Sequence, residues 1–392
     1  MALSSDPESA PDPLPGASGY AEIDLGAIRA NVASLKERAG DAALMAVVKA
    51  DGYGHGAVPS ARAALAGGAD WLGVAQLSEA VAVRAAGVTA PMLTWLYVPG
   101  ADLGSAVLAD IDLGISSVAA LDELLRATTR QGKTARIHLK VDTGLARNGA
   151  YGSDWTALVA ATARAAAEGA VEVVGVLSHF AYADAPDHPT VRSQQQTFEA
   201  AVAELERTGI RPQVRHLANS AATLTNPSAA YDMVRPGLAV YGLSPIPDLG
   251  TPADYGLREA MRLISHVALV KDVPAGQGVS YGHTYVTDRA TRLALVPLGY
   301  ADGLPRNASN AGPMLHRGVR QTIAGRVCMD QVVLDLGPDA DVAPGDPVVL
   351  FGRGEDGEPT AQDWATATGT ISYEIVTRVS SRLPRVYVGE GR

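Results

Sequence analysis

Cysteine is nearly absent: Cys328 is alone among 392 residues. That excludes an internal disulfide framework and fits a reducing cytosol. Basic charge is also scarce. Lys and Arg total 32 against 42 Asp and Glu, a net charge of -10. With no basic block along the chain, no nucleic-acid partner is expected. No apolar run approaches the roughly 18 residues of a membrane span, so no membrane partner is expected either. Residues 1–19 lack a basic n-region and an apolar h-region and are rich in Ser, Pro, Asp and Ala. They read as a disordered leader rather than a secretory signal. The hydrophobic content is ordinary at 47%, and the chain is long enough for two domains and a large core. These features describe a soluble, cytoplasmic protein that acts on small molecules.

The folded part opens at Ala21 with a short strand that leads into a helix. The helix carries apolar positions at Ile28, Val32 and Leu35, with Asp24 placed to cap it. Apolar β-rich runs then alternate with Ala-rich helical stretches. Expected strands are Leu44–Val48, Trp71–Ala75, Met92–Tyr97 and Asp112–Ile115, then Arg136–Val141, Val173–Ser178, Val214–Leu217 and Met233–Val234. Expected helices are Ala57–Ala66, Leu77–Ala86, Leu121–Thr129, Trp155–Glu168 and Val191–Arg207. Eight strands with intervening helices over about 220 residues predict a (β/α)8 TIM-like barrel, assigned to 20–247.

The pattern changes after Pro245. Pro245, Pro247, Gly250 and Pro252 make a linker-like stretch. Beyond it, Met261–Val270, Arg292–Val296, Val319–Ala324, Val332–Leu336 and Pro347–Phe351 read as strands, and Asp363–Ala367 as one short helix. A mostly β second domain is therefore expected over 248–392.

The chemistry centres on Ala46-Val-Val-Lys-Ala-Asp-Gly-Tyr-Gly-His-Gly56. Lys49 ends a buried strand, where an α/β barrel keeps its reactive groups. Burial disfavours an ammonium ion and frees a nucleophilic amine near neutral pH, which a Schiff-base lysine requires. Gly52, Gly54 and Gly56 let the backbone turn sharply and approach a ligand. Other polar residues fall at later strand ends: Lys140 and Asp142, His179, Asn219 and Ser220, and Arg235. A barrel gathers all of them at one mouth.

That lysine motif resembles the pyridoxal-phosphate motif of alanine racemases. Further blocks of the same family follow in order: LKVDTGLARNG, SHFAYAD, HLANSAA, VRPGLAVYG, VSYGHTY, LGYADGLPR, GRVCMDQ and ISYEI. The resemblance runs from Ala21 to Val388. It implies pyridoxal 5'-phosphate joined to Lys49, and racemisation of alanine by two bases on opposite faces of a planar carbanion. Lys49 is one base and Tyr281 the other. A tyrosine needs a cationic neighbour to act so, and His179, hydrogen-bonded to Arg235, is the family's candidate. Arg235 is expected at the pyridine nitrogen, where a guanidinium keeps its proton and weakens the electron sink. His216 is expected behind it.

The resemblance assigns the phosphate to Tyr53, Ser220, Tyr373 and the amides around Ser220, Gly237 and Leu238. Asn219 lies beside that group and Trp95 at a cofactor-lining position. It gives the substrate carboxylate to Arg147 and the Met329 amide, and the approach to the pocket to Tyr300, Arg306 and Asp330. Ala146 stands where glycine is common in the family. Many members carry a carbamylated lysine at the position of Lys140. Because Tyr281, Met329 and Tyr300 belong to the second domain, the family's head-to-tail homodimer is expected, with shared sites. A racemase of broader range, acting on alanine and serine, is the alternative reading. A basic amino-acid decarboxylase fits less well because of Arg235. A non-catalytic pyridoxal-phosphate carrier fits less well because of the β domain.

Overall fold

A computed structural model describes residue 14 and residues 16–389. Of the leader expected over 1–19, residues 1–13 and 15 therefore lie outside the described residues. Gly19 already belongs to the first strand.

The chain divides into two compact units. One is Ala27–Arg258; the other joins the described residues up to Gly26 with the described residues from Glu259 onward. The first strand, β1 (Gly19–Asp24), belongs to the second unit. It lies antiparallel to β10 (Met261–His266) and parallel to β19 (Arg385–Val388). The division thus falls after Arg258, not at 247/248. The Pro/Gly stretch marks turns within the first unit, where Leu243, Ile246 and Leu257 are buried.

In the first unit, β2 to β9 form the barrel wall. They are Ala43–Val47, Trp71–Gln76, Met92–Leu96, Asp112–Ile115, Ala135–Lys140, Val171–Leu177, Val214–His216 and Met233–Val234. All pair in parallel, in the spatial order β8-β7-β6-β5-β4-β3-β2-β9. The gap between β8 and β9 is bridged where Asp232 N donates to Arg215 O at 3.1 Å and Arg235 N to Ala218 O at 2.9 Å. These contacts bring the sheet round into the expected barrel. Met45, Leu93 and Met233 are fully buried in it, with Trp95 packed against them. Burying each such side chain contributes roughly 1.5–3 kcal/mol.

The helices follow their caps. Ser117 Oγ accepts from Ala120 N at 3.2 Å and starts Val118–Gln131, which ends at Gly132 with φ +62. Its buried Leu121, Leu124, Ala127 and Thr128 recur at three- and four-residue steps, as an amphipathic helix requires. The expected start at Leu121 overlooked that cap. The short helix Leu103–Leu108, held by the Asp102 carboxylate at Ser105 N, was also not expected.

The second unit is mostly β. Its six-stranded sheet runs β16-β15-β18-β10-β1-β19, with β15 at Pro313–His316, β16 at Val319–Thr322 and β18 at Pro347–Phe351. A three-stranded sheet joins β11 (Leu269–Val273), β14 (Thr291–Val296) and β17 (Val332–Gly337). A small ribbon joins β12 (Gly278–Val279) to β13 (Tyr285–Val286). The run expected as one strand over Met261–Val270 breaks in two at Val267–Ala268, and its halves enter different sheets. Two helices close this part, Ala361–Thr368 and Ser372–Thr377, where one was expected.

Candidate active site

Immediately after β2 the chain makes a left-handed turn. Ala50, Asp51, Gly52 and Tyr53 have φ of +53, +53, +62 and +52. Three of these carry side chains, and L-residues lose about 1–2 kcal/mol each in that region. Local hydrogen bonds hold the turn. Gly54 N donates to Ala50 O at 3.0 Å, Gly56 N to Asp51 O at 2.8 Å, and Ala57 N to the Asp51 carboxylate at 2.8 Å. Glu79, which the sequence reading missed, accepts from Ala50 N at 2.6 Å and from Ala75 N and Gln76 N. The turn points Tyr53 inward, where it is buried against Tyr241 with ring centroids 5.0 Å apart.

Lys49 opens this turn, its Nζ 5.8 Å from the centre of the Tyr53 ring. Burial lowers the pKa of its amine, Arg147 lowers it further, and Glu79 opposes them. Lys140, the last residue of β6, is 7% exposed. Burial, then Arg235 and Arg147, bring its pKa down to about 8. Arg147 lies on the exposed loop after β6. One Asp142 carboxylate oxygen shapes that loop by accepting from Gly144 N, Leu145 N and Ala146 N at 2.9–3.2 Å. Ala146 has φ +56, which explains why glycine suits this position.

Arg235 follows β9 and is buried. It donates from Nη1 to His216 Nδ1 at 3.1 Å, and from Nη2 to Ser178 O at 2.7 Å and Leu217 O at 3.4 Å. His216 thus stands behind it as expected. The expected bond from His179 to Arg235 is not formed. Burial and the charges of Arg235, Arg147, Lys140 and Lys49 push the His179 pKa well below its usual value. The imidazole is therefore neutral, and the cation at this place is the guanidinium. Gln194 fixes the backbone here, donating to His179 O at 3.0 Å and accepting from Ala181 N at 2.9 Å.

Ser220 Oγ gathers Gly237 N at 2.8 Å and Ala239 N at 3.3 Å, so the Gly237 amide is already engaged. Asn219 caps the helix that begins at Ser220, accepting from Ala222 N at 3.1 Å. Leu238 is fully buried and opens the turn Leu238–Tyr241. A side chain at Gly237 would meet Tyr53, so the glycine admits that phenol to the same corner. Trp95 is half-buried and packs against the barrel core.

In the second unit Tyr281 begins a turn, Tyr281–His283, and is 71% exposed. The preceding Ser280 donates to Arg326 O at 2.8 Å. Tyr300 N donates to Cys328 O at 3.0 Å and Ala301 N to Met329 O at 2.9 Å. Thus Tyr281, Tyr300 and Met329 sit on strands of chain pinned to one another, all three exposed. Asp330 pairs with Arg382 at 2.9 Å. Arg306 is exposed at the start of its own turn, and Tyr373 is half-buried on the helix Ser372–Thr377.

Comparison with known proteins matches these features. The family model for the alanine racemase N-terminal domain covers residues 23–245, and that for the C-terminal domain covers residues 260–387. The alanine racemase of Frankia casuarinae is 60% identical over 368 residues, 94% of this chain and 96% of that protein. That of Salinispora tropica is 61% identical over 370 residues, 94% of this chain and 98% of the other. The crystal structure of the Streptomyces lavendulae alanine racemase is 56% identical, with a TM-score of 0.94 over 95% of this chain and 97% of that one. With its lysine, guanidinium and phenol in the order the motifs require, the chain belongs to the alanine racemase family.

Proposed function

We propose that the barrel mouth holds pyridoxal 5'-phosphate and that the chain interconverts L- and D-alanine. The observation that carries this reading is the charge balance at the mouth. Lys49, Lys140, Arg147 and Arg235 all act on His179, while the carboxylates acting on the two lysines are Glu79 and Asp142. Such an excess of cations suits a ligand that brings a phosphate and a carboxylate.

The residues fit that cofactor. Tyr53 and Ser220 offer hydroxyls in a corner kept open by Gly237, and Tyr373 is assigned to the same anion. Lys49 offers an amine whose lowered pKa favours attack on an aldehyde. Arg235 offers a guanidinium fixed from behind, which remains charged at neutral pH even though burial brings its value to about 10. When bound, the cofactor's ring withdraws electron density from the substrate α-carbon. The guanidinium tempers that withdrawal, because it does not give its proton to the ring nitrogen. Returning a proton to the α-carbon is then favoured over side reactions.

Lys49 moves the α-proton on one face and Tyr281 on the other. Arg147 and the Met329 amide hold the carboxylate. The depressed pKa of Lys140 lets its ammonium lose a proton to solvent; the free amine then adds carbon dioxide and releases a second proton, leaving a carbamate anion in place of a repelling cation beside Arg147. Tyr281 is supplied by a partner subunit in a head-to-tail homodimer. Its exposure, with that of Tyr300 and Met329, supports such an interface. Tyr300, Arg306 and Asp330 line the approach. No helix among the described residues is long and apolar enough to cross a membrane. A cytoplasmic role supplying D-alanine for peptidoglycan fits the reading.

Serine differs from alanine by one hydroxyl, which a small pocket rejects weakly. The test is purified protein incubated with L-alanine, L-serine and other amino acids, followed by chiral analysis. Conversion of alanine is expected to dominate. Failure to convert alanine in protein carrying the cofactor would refute the proposal.

A further inference from the structure

Behind Arg235 the hydrogen bonds do not stop at His216. His216 Nε2 lies 2.9 Å from His138 Nδ1, and His138 Nε2 lies 3.2 Å from Asp112 Oδ2. Arg136 closes the far end, donating from Nε to Asp112 Oδ1 at 2.7 Å and from Nη2 to Oδ2 at 3.3 Å. Both imidazoles are fully buried, and Asp112 is 1% exposed. The line begins on the first residue of β5, crosses to β6, spans β7, and reaches β8 and the end of β9. It therefore runs through the barrel from the floor to the mouth.

The two ends decide every proton between them. A guanidinium can only donate, so His216 Nδ1 must accept and its proton must sit on Nε2. His138 Nδ1 then accepts, and its own proton sits on Nε2. An ionised carboxylate can only accept, and Asp112, held by Arg136, meets that proton. Each ring is neutral in one tautomer. Burial lowers the pKa of both rings, which agrees with neutrality. The backbone is shaped for the crossing. A Cβ on Gly175 of β7 would lie 2.9 Å from His138 Cε1 and nearer still to Nδ1, so only glycine lets the two histidines meet over that strand.

We propose that Asp112 and His138 are positioning residues which act through His216 on Arg235, fixing the guanidinium that meets the cofactor ring. The proposal rests on the reading that pyridoxal 5'-phosphate occupies the mouth. Its own content is the line of fixed tautomers. Asp112, itself paired with Arg136, acts on Arg235 through three hydrogen bonds whose direction it fixes, and the histidines between them carry no charge.

The test starts with the native holoenzyme labelled with 15N-histidine. Long-range 1H–15N spectra should show His138 and His216 protonated on Nε2 only. A charged ring, or Nδ1 protonation at either residue, would overturn the proposal without any variant being needed. Asp112→Asn then probes the coupling. Arg136 Nε claims the remaining oxygen, so the new amide nitrogen faces His138 and donates to it. That reverses both tautomers and sets an N–H of His216 against Arg235. The visible absorption of the bound cofactor should shift. The kcat for alanine should fall by about 10- to 100-fold, as outer carboxylate–histidine partners cost elsewhere, with KM little changed. Reversed tautomers with unchanged absorption and kcat would overturn the proposal, because the line would then be structural only. Failure of the native protein to take up pyridoxal phosphate would sink the functional reading instead, and the tautomer spectra of the unloaded protein separate the two.

Discussion

A Cβ placed on Gly237 would lie 2.9 Å from Cζ of Tyr53 and closer to its hydroxyl. The last barrel loop and the lysine turn therefore share one corner, and both must keep their shape for the phenol to reach it. Gly237→Ala is expected to push Tyr53 out and weaken cofactor retention while leaving the barrel folded. Equilibrium dialysis against pyridoxal 5'-phosphate checks this; unchanged retention would separate Tyr53 from the anion.

Ala146 occupies a left-handed position, φ +56, beside Arg147. Glycine there removes the side-chain penalty but adds flexibility to the unfolded chain. Ala146→Gly is expected to stabilise the protein by up to about 1 kcal/mol. Urea unfolding reads the change, and destabilisation by a similar amount would contradict the strain account.

Lys140 with a pKa near 8 has roughly one amine in ten uncharged at pH 7, far more than an ordinary lysine. Only that form adds carbon dioxide. In 13C-bicarbonate the protein should show a carbamate carbon signal that is missing from Lys140→Ala. The variant should also bind alanine more weakly, because Arg147 loses its anionic neighbour. A wild-type spectrum without the signal would show that the amine stays unmodified.

Glu259 is buried in the second unit, and burial raises its carboxyl pKa from 4.5 to about 8. The native state keeps this proton to about pH 8, whereas the unfolded chain loses it near 4.5. The group's contribution to stability is thus fully present below pH 4.5 and is lost as pH rises to about 8. Glu259→Gln should remove that slope, so its stability relative to wild type should grow by a few kcal/mol between about pH 5 and about pH 9. Denaturation curves at the two ends check the sign. A parallel decline in both proteins would assign the slope to other groups.

The barrel was legible because its strands are short apolar runs and its polar residues cluster at their carboxyl ends. Leu44, Leu72, Leu93, Leu113 and Ile137 are all fully buried as that pattern requires. The sharp turn after Lys49 was legible from its glycines. The partners of β1 were not, because a strand's hydrophobic pattern does not say which distant edge it joins. The line from Asp112 to His216 escaped for a related reason. Arg136, His138 and Lys140 alternate along β6, which is the one local signal that His138 faces inward with Lys140. Its partners, however, lie 26 and 78 residues away in sequence. The neutral state of His179 depends first on its burial and then on four cations, and only the fold supplies either.

The central claim is that Lys49 of one subunit works with Tyr281 of the partner subunit. Co-expression of Lys49→Ala and Tyr281→Ala chains measures it directly, since each alone should be inactive. In a mixed dimer one barrel keeps Lys49 and receives an intact Tyr281 from the other chain. Random pairing should then restore about a quarter of wild-type racemisation. Activity no higher than that of either variant alone would contradict the shared site.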